Sequence, residues 1–301
     1  MCINILTITT KKTECPRGEI GRHKGLKILA RKGVPVRVWP RAPKKMKNIY
    51  FVFDKTKKSQ NLKRIILKKY KNCSISKSDC IVVVGGDGFM LQSIKKFTKY
   101  KKPFYGINCG TFGFLMNRYV SKNLYKKITK AKKTFINPLN IIVATNKSAK
   151  KRLMAINEVS VFRQSRQTAL LGLKVGKKTI IKKLIGDGIL VSTPAGSTAY
   201  NLSVHGPILS LNSGKLAITP ISPFRPRRWK GKVISNNNNV KINNLDSNKR
   251  PVAAVADNVE IRNVKSLSIK IDKKTKISLL YDKNRSLFKK IKIEQLIKNT
   301  N

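Results

Sequence analysis

"IVVVGGDGFML", residues 81–91, decides the fold. Four apolar residues run straight into Gly85-Gly86-Asp87-Gly88, and apolar residues then resume. A short apolar run closed by glycines reads as a buried strand. In an open parallel sheet, ligands sit beyond the carboxyl ends of such strands. Glycines at that end permit positive φ and let backbone N–H groups approach a phosphate with no Cβ in the way. The next helix adds the positive end of its dipole. A carboxylate in that setting repels a phosphate, so it belongs there only if it accepts a proton or holds a metal beside it. Asp87 is thus the candidate base, and Gly85, Gly86 and Gly88 form the candidate phosphate loop. Taken alone, the motif is also an ordinary Asp-Gly turn.

Working outward, "IYFVF" (49–53) reads as a first strand and "SQNLKRIILKKYK" as a Lys-rich amphipathic helix. "DCIVVV" is the next strand, "FMLQSIKKFTKYK" a helix leaving the glycine turn, and "KPFYGIN" a third strand running into a second glycine turn, "CGTFGFLMN". This β-α-β-α-β rhythm argues for a doubly wound parallel sheet. Beyond about residue 136 the texture changes. "NIIVATN", "RLMAINEVSVFRQ", "LLGLKVG", "KTIIKKLIGDGILVST", "KLAITPIS" and "LSIKID" are short β-rich runs punctuated by turns, the pattern of a β-sandwich-like domain. "SNNNN" (235–239) reads as a hairpin tip, and "NRSLFKKIKIEQLIKN" as a helix returning to the first domain. The expected division is an α/β domain of residues 46–135 with 285–301 and a β-rich domain of residues 136–284.

The chain has 301 residues, 66 of them Lys or Arg and 13 Asp or Glu, for a formal charge of +53. That balance invites a nucleic-acid reading. The lysines are spread almost everywhere, however, and no basic stripe interleaved with aromatics stands out. Diffuse charge of this kind speaks to solubility and steering, and no specific nucleic acid is expected. No apolar run reaches bilayer length, so no membrane partner is expected either. The five cysteines lack CxxC spacing, which fits a reducing cytosol and neither disulfides nor zinc. With only His23 and His205, Ser-His-Asp chemistry and histidine-rich metal sites are poor fits.

In so acid-poor a chain, the placement of the other carboxylates is informative. Glu158, Asp187 and Asp257 lie in "INEVS", "GDG" and "VADN" at strand ends. Acids favour turns in any case, but Asn157-Glu158 interrupts an apolar run, where an unpartnered carboxylate is costly. Residues 187–209, "DGILVSTPAGSTAYNLSVHGPIL", form the longest polar-glycine run. Such a loop offers hydrogen bonds, close backbone approach and Tyr200 to stack on a flat ring, and loops of this length are usually functional. "KVGKKT" fails as a P-loop because Leu171 replaces the first glycine, and "AGSTA" is no nucleophile elbow.

Together "GGDGFML" (85–91), "INCGTFGFL" (107–115), "NEVSVFRQ" (157–164), "GDGILVSTPAGSTAYNLSVHGPIL" (186–209) and "ITPISPFRPRRW" (218–229) resemble the NAD kinase family. These enzymes phosphorylate the 2′-hydroxyl of the adenosine ribose of NAD with ATP or polyphosphate. "GGDGFML" and "PISPFRPRRW" look most like the alphaproteobacterial branch. The resemblance implies an active site between the two domains, a divalent metal (Mg2+) arriving with the phosphoryl donor, no tightly bound cofactor, no metal ligands of its own, a homodimer or homotetramer, and a cytoplasmic location. Carried over by position, Asp87 is the general base, with Gly88 beside it. Asn157 and Glu158 hold the adenosine and ribose, and Asp187 meets the nicotinamide end. Thr198, Ala199, Tyr200, Asn201, Leu202 and Ser203 line the adenine pocket, Phe114 helps to close it, and Asp87, Gly88 and Ala195 are further NAD-binding positions. Asp257 matches an acidic NAD-binding position usually followed by Gly, where this chain has Asn258. A lipid kinase of the same superfamily would lack "NE" and "STPAGSTAYNLS"; a non-enzymatic nucleic-acid binder would make no NADP.

Residues 1–45 have neither helical nor strand period, and their Arg, Gly and Trp usage departs from the Lys/Asn/Ile bias of the rest. "GEIGRHKGLKILARKGVPVRVWP" resembles a spurious peptide read through a transfer-RNA gene, so the enzyme is expected to start at Met46. A basic disordered arm is the alternative.

Overall fold

A computed structural model describes residues 48–110, 113–119, 123–147, 150–283 and 287–297. The expectations for residues 1–45 lie outside the described residues. Strand β1 (Ile49–Phe53) pairs in parallel with β2 (Cys80–Gly85), and β2 with β3 (Phe104–Asn108). Helix α1 (Lys57–Lys69) connects the first pair, its N-terminus capped by the Thr56 hydroxyl, which accepts from Ser59 N. Helix α2 (Asp87–Phe97) leaves directly from the end of β2. All six residues of β2 are buried, as a strand covered on both faces requires.

The remaining strands of this sheet come from distant sequence. Its order is β1, β2, β3, then Ile277–Tyr281, then Lys132–Ile136, with Asn117–Arg118 beside β3. Ile277–Tyr281 runs parallel to β3 and antiparallel to Lys132–Ile136. The sequence reading grouped residues 277–281 with the β-rich part; in the structure the chain re-enters the first sheet there, ahead of the helix Leu287–Ile297. The helix Leu124–Lys130 and the strand Lys132–Ile136 were not anticipated, because their lysines mask any apolar period.

Residues 139–271 form two six-stranded sheets packed face to face. Leu139, Ile141, Leu171, Leu173, Leu267 and Ile269 of one sheet meet Val159, Val161, Ile189, Val191, Leu216 and Ala254 of the other in one continuous core. The antiparallel registers put alternate residues into that core, as period-2 patterning demands. Two of the β-rich runs each hold two strands that meet at a polar residue: Lys150–Ala155 and Glu158–Arg163 flank Asn157, and Lys178–Gly186 and Gly188–Ser192 flank Asp187. The Asn-rich 235–239 loop is not a hairpin tip. Lys232–Ser235 belongs to one sheet and Val240–Asn244 to the other, so this loop carries the chain across the sandwich. Lys45–Asn301 is one compact unit, and among the described residues no helix is long and apolar enough to cross a membrane.

Leu267 is 1% exposed in the sandwich core, a cluster that includes none of the expected site residues. Leu267→Ala is expected to lower stability by about 2–5 kcal/mol in a denaturant melt, without altering substrate KM at temperatures where the protein stays folded.

Candidate active site

Asp87 is the first residue of α2, with Gly86 as N-cap, so its carboxylate lies at the positive end of the helix. The second glycine turn folds over it: Phe114 N donates to Oδ2 at 2.7 Å and Leu115 N to Oδ1 at 3.1 Å. Gly113 makes this approach possible, since a Cβ there would sit 3.1 Å from Oδ1. Burial pushes the Asp87 carboxyl above its ordinary range; the two amides and the Lys290 ammonium offset part of that rise. The result is a carboxylate held in one orientation and more basic than usual. The loop glycines act through space, not through positive φ. Gly86 has φ −105°, and a Cβ at Gly86 or Gly88 would meet nothing within 4 Å, so the region beside them is open.

The turn over Asp87 is itself tied down from the helix Leu287–Ile297. Lys290 Nζ donates to the carbonyls of Gly113 at 2.6 Å, Phe114 at 3.0 Å and Met116 at 2.7 Å. Tyr281, wholly buried, adds a bond from its hydroxyl to Phe114 O at 3.3 Å. Sequence reasoning missed Lys290, and in so lysine-rich a chain no local signal marks it.

Against the helix that begins at Asp87 packs the loop around Asn157. Ile156 and Ala195 share one apolar cluster with Met90, Leu91 and Ile94 of α2, which seats the loops over the helix that carries Asp87. Thr193 N donates to Asn157 O, Thr193 Oγ1 to Ile156 O, and Gly196 N to Thr193 Oγ1. Gly196 is required here, because a Cβ would lie 2.3 Å from Asn157 O. The "STPAG" segment is therefore moulded onto the backbone of Asn157.

Two polar atoms in this region are buried with no hydrogen-bond partner, Glu158 Oε2 and Thr198 Oγ1. Native folds rarely leave such atoms unpaired, and a bound ligand is one way to satisfy them. Burial, and secondarily the charge of Asp257, pushes the Glu158 carboxyl up to about 8. Tyr200 opens a four-residue helix, with its ring 5.7 Å from that of Phe162 at 42°. Burial and the nearby charges of Asp187 and Glu158 raise its hydroxyl, so these three groups are neighbours. Phe162 was not singled out in the sequence, although it lies in "NEVSVFRQ". Asp187 is ion-paired with Arg163 Nε at 2.5 Å, at a half-exposed edge.

Two of the expected contact residues are committed to the fold. Asn201 is fully buried; its Nδ2 donates to Ser197 O and Pro207 O, and its Oδ1 accepts from Thr219. The Asp257 side chain is 0% exposed; it accepts from the amides of Ile156, Asn157 and Glu158 and pairs with Lys95 at 3.0 Å. Ala199 and Leu202 are half-buried, Ser203 is exposed, and His205 is exposed with φ +60°. Among the described residues, no three His, Cys, Asp or Glu side chains gather as metal ligands.

A basic carboxylate at a helix N-terminus beside open glycines, packed over the same core as loops with unsatisfied polar groups, is the equipment of an enzyme that passes a phosphoryl group to a hydroxyl. Models of the ATP-NAD kinase N-terminal and C-terminal domains match residues 17–133 and 156–281. The NAD kinase of Brucella melitensis is 42% identical over 247 residues, spanning 82% of this chain and 96% of that protein. That of Zymomonas mobilis is 41% identical over 253 residues, spanning 83% and 98%. Among solved structures, an NAD kinase from Archaeoglobus fulgidus in complex with ATP matches with a TM-score of 0.64 at 22% identity, over 81% of this chain and 98% of that one. Yeast NADH kinase complexed with NADH matches with a TM-score of 0.70 at 18% identity, over 85% and 89%. The chain belongs to the NAD kinase family, whose reaction is the phosphorylation of NAD to NADP.

The raised Glu158 carboxyl has a signed consequence for stability. Its ordinary value is 4.5 and its folded value about 8, so between these limits the folded protein binds the proton and the unfolded chain does not. The stabilisation is complete below the lower limit and is lost as pH rises through the upper one. Glu158→Gln is therefore expected to melt progressively higher relative to the unaltered protein as pH is raised from about 5 to about 8, measured by thermal melts without ligand.

Proposed function

We propose that this chain transfers a phosphoryl group from ATP, or from polyphosphate, to the 2′-hydroxyl of the adenosine ribose of NAD, with Asp87 as general base. The observation that carries this reading is the Asp87 carboxylate, fixed by the amides of Phe114 and Leu115 and raised in basicity by burial. A raised pKa brings a base closer to the operating pH, where proton acceptance is efficient. The hydroxyl gives its proton to Asp87, its oxygen bonds to the terminal phosphorus of the donor, and the bond to the leaving phosphate breaks. Phosphoryl transfer asks little else of a protein beyond positioning and charge neutralisation. The donor is read as entering as its magnesium complex, which supplies charge neutralisation at the transferred group. The open space beside Gly86 and Gly88 suits its phosphates.

On the acceptor side, the unpaired Glu158 Oε2 and Thr198 Oγ1 suit ribose and base atoms. Tyr200, backed by Phe162, offers a ring to the adenine, with Ala195 and Ala199 providing small walls. Asp187 lies close enough to Tyr200 to raise its hydroxyl, and its assignment to the nicotinamide end rests on the family resemblance. Asn201 and Asp257 shape this pocket from behind. The bound ATP and NADH named for the two solved structures support the same pair of substrates. A cytoplasmic homodimer or homotetramer belongs to this reading through the family resemblance.

The test is NADP formation from NAD, Mg2+ and ATP, repeated with polyphosphate; no NADP from either donor overturns it. Asp87→Asn keeps one of the two acceptor oxygens used by the amides of Phe114 and Leu115 and loses the base. It is expected to cut kcat by roughly a hundredfold or more while NAD still binds. Tyr200→Ala is expected to weaken NAD binding by about 1–3 kcal/mol in calorimetry; unchanged affinity would place the adenine elsewhere.

A further inference from the structure

Lys95 and Asp257 connect the two halves of the site. Lys95 lies eight residues after Asp87 on the same helix, about 12 Å along its axis. Its ammonium reaches the turn after Val252–Ala256. There it pairs with Asp257 Oδ2 at 3.0 Å and donates to Ala256 O at 2.9 Å and Asn258 Oδ1 at 3.1 Å. The lysine side chain is 17% exposed and the aspartate 0%. Asp257 in turn gathers the acceptor loop. Its Oδ2 accepts from Ile156 N at 2.8 Å, and its Oδ1 from Asn157 N at 2.9 Å and Glu158 N at 3.4 Å. Its own amide donates to Glu158 O at 3.1 Å, and it holds φ +51°. Both carboxylate oxygens are thus occupied by the protein, so the group has no free face for a ligand.

We propose that Lys95 is a positioning residue that fixes the acceptor loop Asn157–Glu158 relative to the base Asp87, acting through the buried carboxylate of Asp257. The inference rests on the kinase reading above and deepens it. A carboxylate wholly out of solvent needs its counter-charge, and removing one partner of a buried pair leaves the other uncompensated. Without the ammonium, the buried carboxylate of Asp257 has no counter-charge and is expected to turn outward. The three amides then lose their common acceptor, and the loop is no longer set in distance from α2. Misplacing a reacting hydroxyl by about 1 Å can cost on the order of a hundredfold in rate. Among the described residues, the ammonium of Lys95 bonds only to Ala256, Asp257 and Asn258, so the donor side is expected to be untouched.

The experiment is steady-state kinetics of the full chain with NAD and ATP for Lys95→Met, Lys95→Arg and Asp257→Asn, each checked for folding by thermal melt. Lys95→Met is expected to raise the KM for NAD and lower kcat, each on the order of tenfold, with the KM for ATP changed by less than about twofold. Lys95→Arg, which keeps the charge, is expected to recover most of the loss. Should Lys95→Met fail to fold, Asp257→Asn, which loses the charge and one of the two acceptor oxygens, is expected to show the same split. An unmoved NAD KM in a folded variant, or parallel loss of affinity for both substrates, overturns the proposal. No NADP formation by the unaltered chain overturns the kinase reading itself; NADP formation with unmoved variants overturns the coupling alone.

Discussion

The carboxylate of Asp257, 0% exposed and 3.0 Å from Lys95, shows the constraint on which the site is built. An acid taken out of water must be given hydrogen bonds and a counter-charge, or it turns neutral. Each acid of the site meets this differently. Asp257 receives three amides and an ammonium and serves as a brace. Asp87 receives two amides and remains half-buried, raised in basicity but oriented. Asp187 takes a guanidinium at a half-exposed edge. Glu158 has one oxygen left with no partner, and its carboxyl is pushed up to about 8. The four acids thus run from the fully satisfied Asp257 to Glu158, which keeps an unpaired oxygen.

The apolar core supplies the rigidity that this arrangement needs. Ile81 and Val83 of β2, Met90 and Ile94 of α2, Met116 of the glycine turn, Ile156 and Ala195 pack in a single cluster. The base, the turn that holds it and the two loops that face it thus rest on common side chains. A displacement of one is resisted by all, because close-packed interiors transmit strain rather than absorb it. The sandwich of residues 139–271 has a separate core and carries the loops on its strand ends.

Much of this was legible locally. An apolar run, two glycines and an acid located strand, turn and helix to within one or two residues, because burial on both faces and the lack of Cβ atoms leave a signature in adjacent positions. The interruption of an apolar run by Asn157-Glu158 was visible in the sequence, and the structure puts the gap between two strands at Asn157. What stayed hidden was long-range. Nothing near Ile277 says that it pairs beside β3, and nothing in 235–239 says that the chain changes sheets there. Lys95 and Lys290 are chemically indistinguishable from dozens of solvated lysines until the fold sets them against carbonyls and a carboxylate. Asn201 and Asp257 lie in motif positions, yet their side chains are spent on backbone groups, a division of labour that residue type alone does not disclose.

The clasp of Lys290 on the glycine turn has a consequence in time as well as in space. Lys290 follows Gly113 by 177 residues. At synthesis rates of about 5–20 residues per second, the turn that orients Asp87 emerges roughly 10–35 s before the side chain that secures it. Throughout that interval the nascent polypeptide carries Asp87 and the amides of its turn, but not the clasp that ties the turn down. The turn is therefore secured late in translation, and a ribosome stalled between the two leaves a product whose turn lacks that clasp.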